Sequence, residues 1–217
     1  VWDDPQRGEW AGFEAVEIPS SIDGTRQRAY FRKATGPRPQ PLVVSLHTWS
    51  GDYTQRDPLA AEAAARNWNY IHPDFRGPNN RPEACGSPQV LADLEDAVRY
   101  AVENGNTDPQ EVHIIGVSGG GYATLLAYMK MRYPVKSFSA WAPISDLKAW
   151  YEESLGRRQH YAKDILQSMP SANGPDTAEL RRRSPLQMPV PKSLRQGARL
   201  CIYEGVHDGY KGSVPIT

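Results

Sequence analysis

Cysteine is nearly absent. Cys85 and Cys201 are the two thiols among 217 residues, too few to knit a disulfide framework. Cys201 sits in the apolar run "RLCIYEG" and is expected to line a core strand. An excess of either charge is also lacking: 25 lysines and arginines meet 25 aspartates and glutamates. That balance removes the electrostatic footprint of a nucleic-acid binder. No polybasic patch is present for a membrane surface, and no apolar run approaches the roughly 18 residues of a spanning helix. The five histidines and two cysteines lack metal-ligand spacing, so neither metal nor cofactor is expected. Internal repeats and low-complexity segments are missing too. The first residue is Val1 rather than methionine, which points to processing or excision from a longer chain. No signal peptide is visible. A secreted or periplasmic location is favoured over a cytoplasmic one, and the oligomeric state stays open.

What is present reads as one α/β domain over 1–217. "GFEAVEIPSSIDGTRQRAYFRKATG" alternates around an Asp-Gly turn and predicts a β-hairpin. "LVVSLH" is a short continuous apolar run, as in a strand buried on both faces. "PLAAEAAARNW" is helical by its alanines, with Pro58 at its start. "NYIHPDFRG" reads as a strand entering a loop, where Arg76 would tie loops together. In "PQVLADLEDAVRYAVENG" the residues Val90, Leu91, Leu94, Ala97, Val98 and Ala101 fall at helical spacing, and Gly105 closes the helix. "VKSFSAWAP" and "ARLCIYEG" add strands, separated by a polar, Arg- and Pro-rich insertion over 145–195 that would form a lid or pocket wall. Strands alternating with helices imply a mainly parallel sheet covered on both faces.

The stretch "EVHIIGVSGGGYATLLAYMK" carries the chemistry. Gly116-Val117-Ser118-Gly119-Gly120 fits G-x-S-x-G, with a strand before it and a helix after it. A tight strand-to-helix turn would lift the Ser118 hydroxyl above the sheet edge, and side chains at 116 or 120 would collide there. The plain alternative is a serine N-cap on an ordinary turn. An acyl-transfer serine also needs oxyanion donors. Gly119 N–H is one, and Trp49 N–H, after the "LVVSLH" strand, is the other. His47, ending that strand, is read as a loop brace rather than a base.

Several motifs in order then carry a family resemblance: "DGTRQRAYFRKA", "PLVVSLHTWSGD", "HPDFRGPN", "IIGVSGGGYATL", "LRRRSPL" and "YEGVHDGYKGSVPI". The chain resembles the α/β-hydrolase superfamily, and within it the prolyl oligopeptidase-like and related esterase branch. His47-Thr48 stands where that family usually has His-Gly. The resemblance implies a triad acid after the strand that follows the insertion, and Asp208 matches that place. Asp146 competes but is read as capping the helix "DLKAWYEE". The family's order places a histidine one strand later still, yet the sequence ends at Thr217. The expectation is therefore a C-terminal part missing and a chain poor in activity alone.

Serine, oxyanion donors and acid specify acyl transfer but not the acyl donor. The first central strand begins as early as Leu42, leaving no room for the propeller that family peptidases usually carry. That favours an esterase acting on small or carbohydrate-linked esters; the plentiful tryptophan and tyrosine are read mostly as core and rim packing, though a sugar-binding pocket would also use such rings. Two alternatives stay open: a serine peptidase of the prolyl oligopeptidase type, and a non-catalytic binding module that lost its base. Arg181 to Arg183 could meet an anionic substrate, though a solvated face is the commoner explanation. His160 is read as part of a solvated helix face.

Overall fold

The computed structural model describes residues 5–205. Its strands are β1 (Glu14–Pro19), β2 (Arg26–Arg32), β3 (Gln40–Leu46), β4 (Asn69–Pro73), β5 (Thr107–Val117), β6 (Ser137–Trp141), the short pair β7 (Pro170–Ser171) and β8 (Gly174–Pro175), and β9 (Arg199–Tyr203). Its helices are α1 (Pro58–Ala65), α2 (Pro88–Asn104), α3 (Gly119–Lys130), α4 (Leu147–Gly156), α5 (Tyr161–Ser168) and α6 (Thr177–Arg183).

The alternation in β1 and β2 builds the expected hairpin. Val16, Ile18, Gln27, Ala29 and Phe31 turn inward, while Arg26 and Arg28 face solvent. β2 then pairs antiparallel with β4. The remaining strands of this sheet run parallel, and its seven-stranded order is β1-β2-β4-β3-β5-β6-β9, while β7 and β8 pair antiparallel apart from it. This is an α/β-hydrolase arrangement, with helices on both faces of a mostly parallel sheet.

Strand order explains where a site can form. From β3 the chain crosses to β4 on one side, then returns to place β5 on the other. The loops after β3 and β5 therefore leave in opposite directions, opening a crevice at the carboxyl ends of these strands. Trp49 follows β3 and Ser118 follows β5.

Helix α2 supplies much of the core. Val90, Leu94, Ala97, Val98 and Ala101 are buried against the sheet, beside Leu42, Val44, Ile71 and Ile114. Full burial of a Leu or Ile side chain stabilises by about 1.5–3 kcal/mol. Ser87 caps α2, its hydroxyl accepting from Val90 N at 3.3 Å. The opposite face holds α1, capped by Asp57, whose carboxylate accepts from Leu59 N at 2.9 Å. α1 ends at Ala65, short of Trp68 where the expected segment closed, because Asn67 turns the chain at φ 55°.

Arg76 is a loop tie. Its guanidinium donates to Asp93 (2.7 Å), to Asp23 (2.9 Å) and to the Ser20 hydroxyl (3.0 Å), joining the hairpin turn, the loop after β4 and helix α2. Burial pushes the Asp93 carboxyl up against the opposing pull of Arg76. The hydrogen bond from Arg76 holds exposed Asp23 well below the usual carboxylate range.

Cys201 lies on β9, whose one neighbour among the described residues is β6. Cys201 is consequently only part-buried, while Ile202 and Tyr203 are exposed.

Candidate active site

Ser118 sits at φ 56°, ψ −116°, between the end of β5 and the start of α3. A non-glycine residue there carries strain on the order of 1–3 kcal/mol. The surroundings impose it. Ser118 N donates to Trp141 O at 2.9 Å, and Ser118 O accepts from Tyr122 N at 2.8 Å. A methyl on Gly116 would overlap the Gly120 carbonyl, and one on Gly120 would overlap the Leu46 carbonyl. Both glycines are therefore needed for backbone to meet backbone. The serine side chain makes no capping hydrogen bond to α3, so the plain N-cap alternative fails.

The two expected oxyanion donors come together. A methyl on Gly119 would strike the Trp49 amide nitrogen and Cα, so the two backbones are in direct contact beside Ser118. Among the described residues, neither N–H donates to a backbone carbonyl. The Trp49 loop is held from several sides. Asn79 donates to Trp49 O through its backbone N at 3.0 Å and its Nδ2 at 3.1 Å. Thr48 N donates to Gln55 Oε1 at 2.9 Å.

His47 braces this loop. It is 1% exposed, stacks on Phe75 at 3.9 Å, and its ring nitrogens lie 2.9 Å from Thr48 O and 2.8 Å from Asp74 O. His72 is buried with Nδ1 2.7 Å from Ser45 O. Burial lowers its pKa to about 4. His113 pairs with the Ser137 hydroxyl and Glu111. Among the described residues, no histidine hydrogen-bonds Ser118. His160 is exposed, as the solvated-face reading expects, and its Nε2 also lies 3.2 Å from the Ser50 hydroxyl, in the loop after Trp49.

Asp146 caps α4, accepting from Lys148 N at 2.9 Å and Ala149 N at 3.2 Å. Asp208 lies outside the described residues. The carboxyl ends of β3, β5, β6 and β9 nevertheless line up, through the pairs Leu46–Gly116, Val117–Trp141 and Trp141–Tyr203. β9 thus ends at the same sheet edge that carries Ser118.

Cys85 offers no competing nucleophile, since burial pushes its thiol up to about 12. The arginine triplet is mostly committed: Arg182 and Arg183 pair with Glu179, and Arg183 also donates to the carbonyls of Pro82, Ala84 and Cys85. A cavity of about 280 Å³ adjoins the elbow, walled by His47, Thr48, Leu59, His72, Val117 and Trp141 among others. The larger cavity, about 680 Å³, lies between residues 7–13 and α1 and touches neither Ser118 nor Trp49. Among the described residues no group of acidic, His or Cys side chains is placed to hold a metal ion, and no helix is long and apolar enough to cross a membrane.

Known proteins share these features in part. The uncharacterized protein YfhR of Escherichia coli O157:H7 is 28% identical over 117 residues, which is 52% of this chain and 40% of YfhR. Dipeptidyl aminopeptidase BIII of Pseudoxanthomonas mexicana is 31% identical over 117 residues, 51% of this chain and 16% of that enzyme. In fold, the chain is similar to a puromycin-hydrolyzing peptidase of Mycobacterium tuberculosis, with a TM-score of 0.67 at 20% identity over 94% of this chain and 31% of the other. The chain thus spans well under half the length of these proteins. The model of the prolyl oligopeptidase family matches residues 63–210, from α1 through the elbow and past β9. With that match covering most of the sequence, the chain belongs to the prolyl oligopeptidase family.

Proposed function

We propose that the chain forms the nucleophile-bearing part of a serine hydrolase that cleaves peptide or related amide bonds. Ser118 Oγ attacks the carbonyl carbon, its proton passing to a base outside the described residues. The oxyanion is taken by Gly119 N–H and Trp49 N–H. The C–N bond breaks as the base returns its proton to the leaving amine, and water then hydrolyses the acyl-serine. Asp208 orients the base.

The observation that carries this reading is the uncapped serine held at φ 56°, with its neighbour Gly119 packed against the Trp49 amide. Strain of this kind needs an offsetting use. The amide preference rests on the similar proteins, which include a dipeptidyl aminopeptidase and a puromycin-hydrolyzing peptidase. The ester preference of the sequence reading rested on the early position of Leu42. Length does not discriminate in a chain that spans 16% to 40% of its curated relatives.

Two measurements on the protein that carries this chain test the proposal. A fluorophosphonate probe should label the wild type and not Ser118→Ala; labelling that survives the alanine refutes the nucleophile. Ala-Pro and Gly-Pro anilides should be turned over with higher kcat/KM than p-nitrophenyl acetate or a feruloyl ester. The reverse order returns the protein to the esterase reading.

A further inference from the structure

The loop that presents the Trp49 N–H is tied to the insertion through the tryptophan side chain. The indole is fully buried among insertion residues. It meets Trp150 edge-on at 4.5 Å and Tyr161 edge-on at 6.3 Å. Its Nε1–H donates to Asp164 Oδ2, on α5, at 3.1 Å. The same carboxylate oxygen lies 3.5 Å from His160 Nε2, which in turn reaches the Ser50 hydroxyl. Two successive loop residues, Trp49 and Ser50, are therefore gripped by one helix turn, from His160 to Asp164.

We propose that Asp164 is a positioning residue: by holding the indole it fixes where the Trp49 amide N–H points, and so sets the oxyanion site from the insertion. The inference rests on Ser118 and Trp49 having the roles proposed above. Its physical basis is that an oxyanion donor acts only if pre-aimed. A carbonyl oxygen gains charge during attack, and a donor that must first rotate into place has its advantage reduced by the reorganisation. Asn79 fixes the carbonyl side of Trp49, but that carbonyl belongs to the next peptide unit. The peptide bearing the Trp49 N–H is held on the Thr48 side: its carbonyl, Thr48 O, accepts from Gly51 N at 3.1 Å and lies 2.9 Å from His47 Nδ1, and Thr48 N donates to Gln55. On the Trp49 side the anchor from the insertion is the indole. A hydrogen bond to a carboxylate is roughly twice as strong as a neutral one, and this one is part-buried.

Three variants of the protein that carries this chain decide the matter. Trp49→Phe deletes the indole N–H and keeps an aromatic ring. Asp164→Leu deletes the acceptor. Asp164→Asn keeps an acceptor oxygen and should retain activity within about threefold. The first two should each lower kcat by about ten- to a hundredfold, the range a small misplacement costs, with KM little changed. Affinity for a boronic acid that forms a tetrahedral adduct on the serine should fall by the same factor. Combining them should cost no more than the worse single change, because both remove one hydrogen bond. Melting temperatures accompany each assay, and Trp49→Phe alone decides if Asp164→Leu fails to fold. Unchanged kcat in folded Trp49→Phe, or a loss confined to KM, overturns the inference while leaving Ser118 as nucleophile. A wild type that fluorophosphonate does not label at Ser118 overturns the parent reading and this one with it.

Discussion

The two large apolar clusters among the described residues differ in kind. The first lies between the sheet and helices α2 and α3, and is mostly aliphatic: Leu42, Val44, Ile71, Leu94, Val98 and Ile114. The second joins the insertion helices to the loop after β3 and to α3, and its large members are aromatic: Trp49, Tyr122, Trp150 and Tyr161. The first cluster sets the position of Ser118 through strand register and glycine contacts. The second sets Trp49. In the proposed reaction, nucleophile and oxyanion donor are thus located by different parts of the chain, and the insertion does more than wall a pocket.

The largest effect should separate two acids that follow neighbouring strands. Asp146 comes after β6 and caps an insertion helix; Asp208 follows β9 in the sequence and lies outside the described residues. In the protein that carries this chain, Asp208→Asn should lower kcat by about three to four orders of magnitude, as expected for a triad acid. Asp146→Asn should leave kcat within about threefold, since a capping group touches no reacting atom. If steady-state kinetics show Asp146→Asn as the more damaging, the acid belongs to the insertion side.

The next effect concerns the sheet side alone. Arg76→Leu leaves Asp93 buried and unpaired, and breaking a buried ion pair in this way costs about 3–5 kcal/mol. Asp93 is 1% exposed, so water cannot rescue it. Urea unfolding measures the loss. A loss under about 1 kcal/mol would mean that the network behaves as a surface pair.

A pH-dependent effect of intermediate size falls on His72. Its pKa is lowered from 6.5 to about 4 by burial. The unfolded chain takes up a proton near pH 6.5 while the folded one does not, so stability contributed by the neutral ring is present above that value. It is lost as pH falls from about 6.5 to about 4, at a slope on the order of 1 kcal/mol per pH unit. His72→Asn can still donate to the Ser45 carbonyl but cannot titrate. Its unfolding free energy should be flatter than wild type across that window. Equal slopes would remove His72 as the source.

Legibility in the sequence divides along the same line as the two clusters. Periodicity exposes α2 because Val90, Leu94, Ala97 and Ala101 recur on one helix face. The elbow is legible because Gly116, Ser118 and Gly120 must be close in sequence to turn a strand into a helix. The Asp164–Trp49 contact spans 115 residues, and no local pattern signals it. The one available hint, His160 four residues before Asp164, reads equally as a solvated helix pair.

The smallest effect tests whether the two clusters act as one unit. Ser87 caps α2 on the sheet side, and Asp176 caps α6 on the insertion side, accepting from Ala178 N at 2.8 Å and Glu179 N at 3.0 Å. Removing a cap by alanine costs about 1 kcal/mol. Ser87→Ala should lower global stability by about that amount, because α2 packs against the central strands. Asp176→Ala has two distinguishable outcomes. If the aromatic cluster couples α6 to the sheet, global unfolding shifts as much as for Ser87→Ala. If the insertion opens by itself, amide exchange accelerates in 177–183 while the protection of β3 and β5 stays unchanged. The buried indole of Trp49, bound to α5 by a hydrogen bond and packed beside Tyr122 of α3, favours the coupled outcome. Local opening would instead mean that the oxyanion loop can lose its insertion support while Ser118 keeps its place.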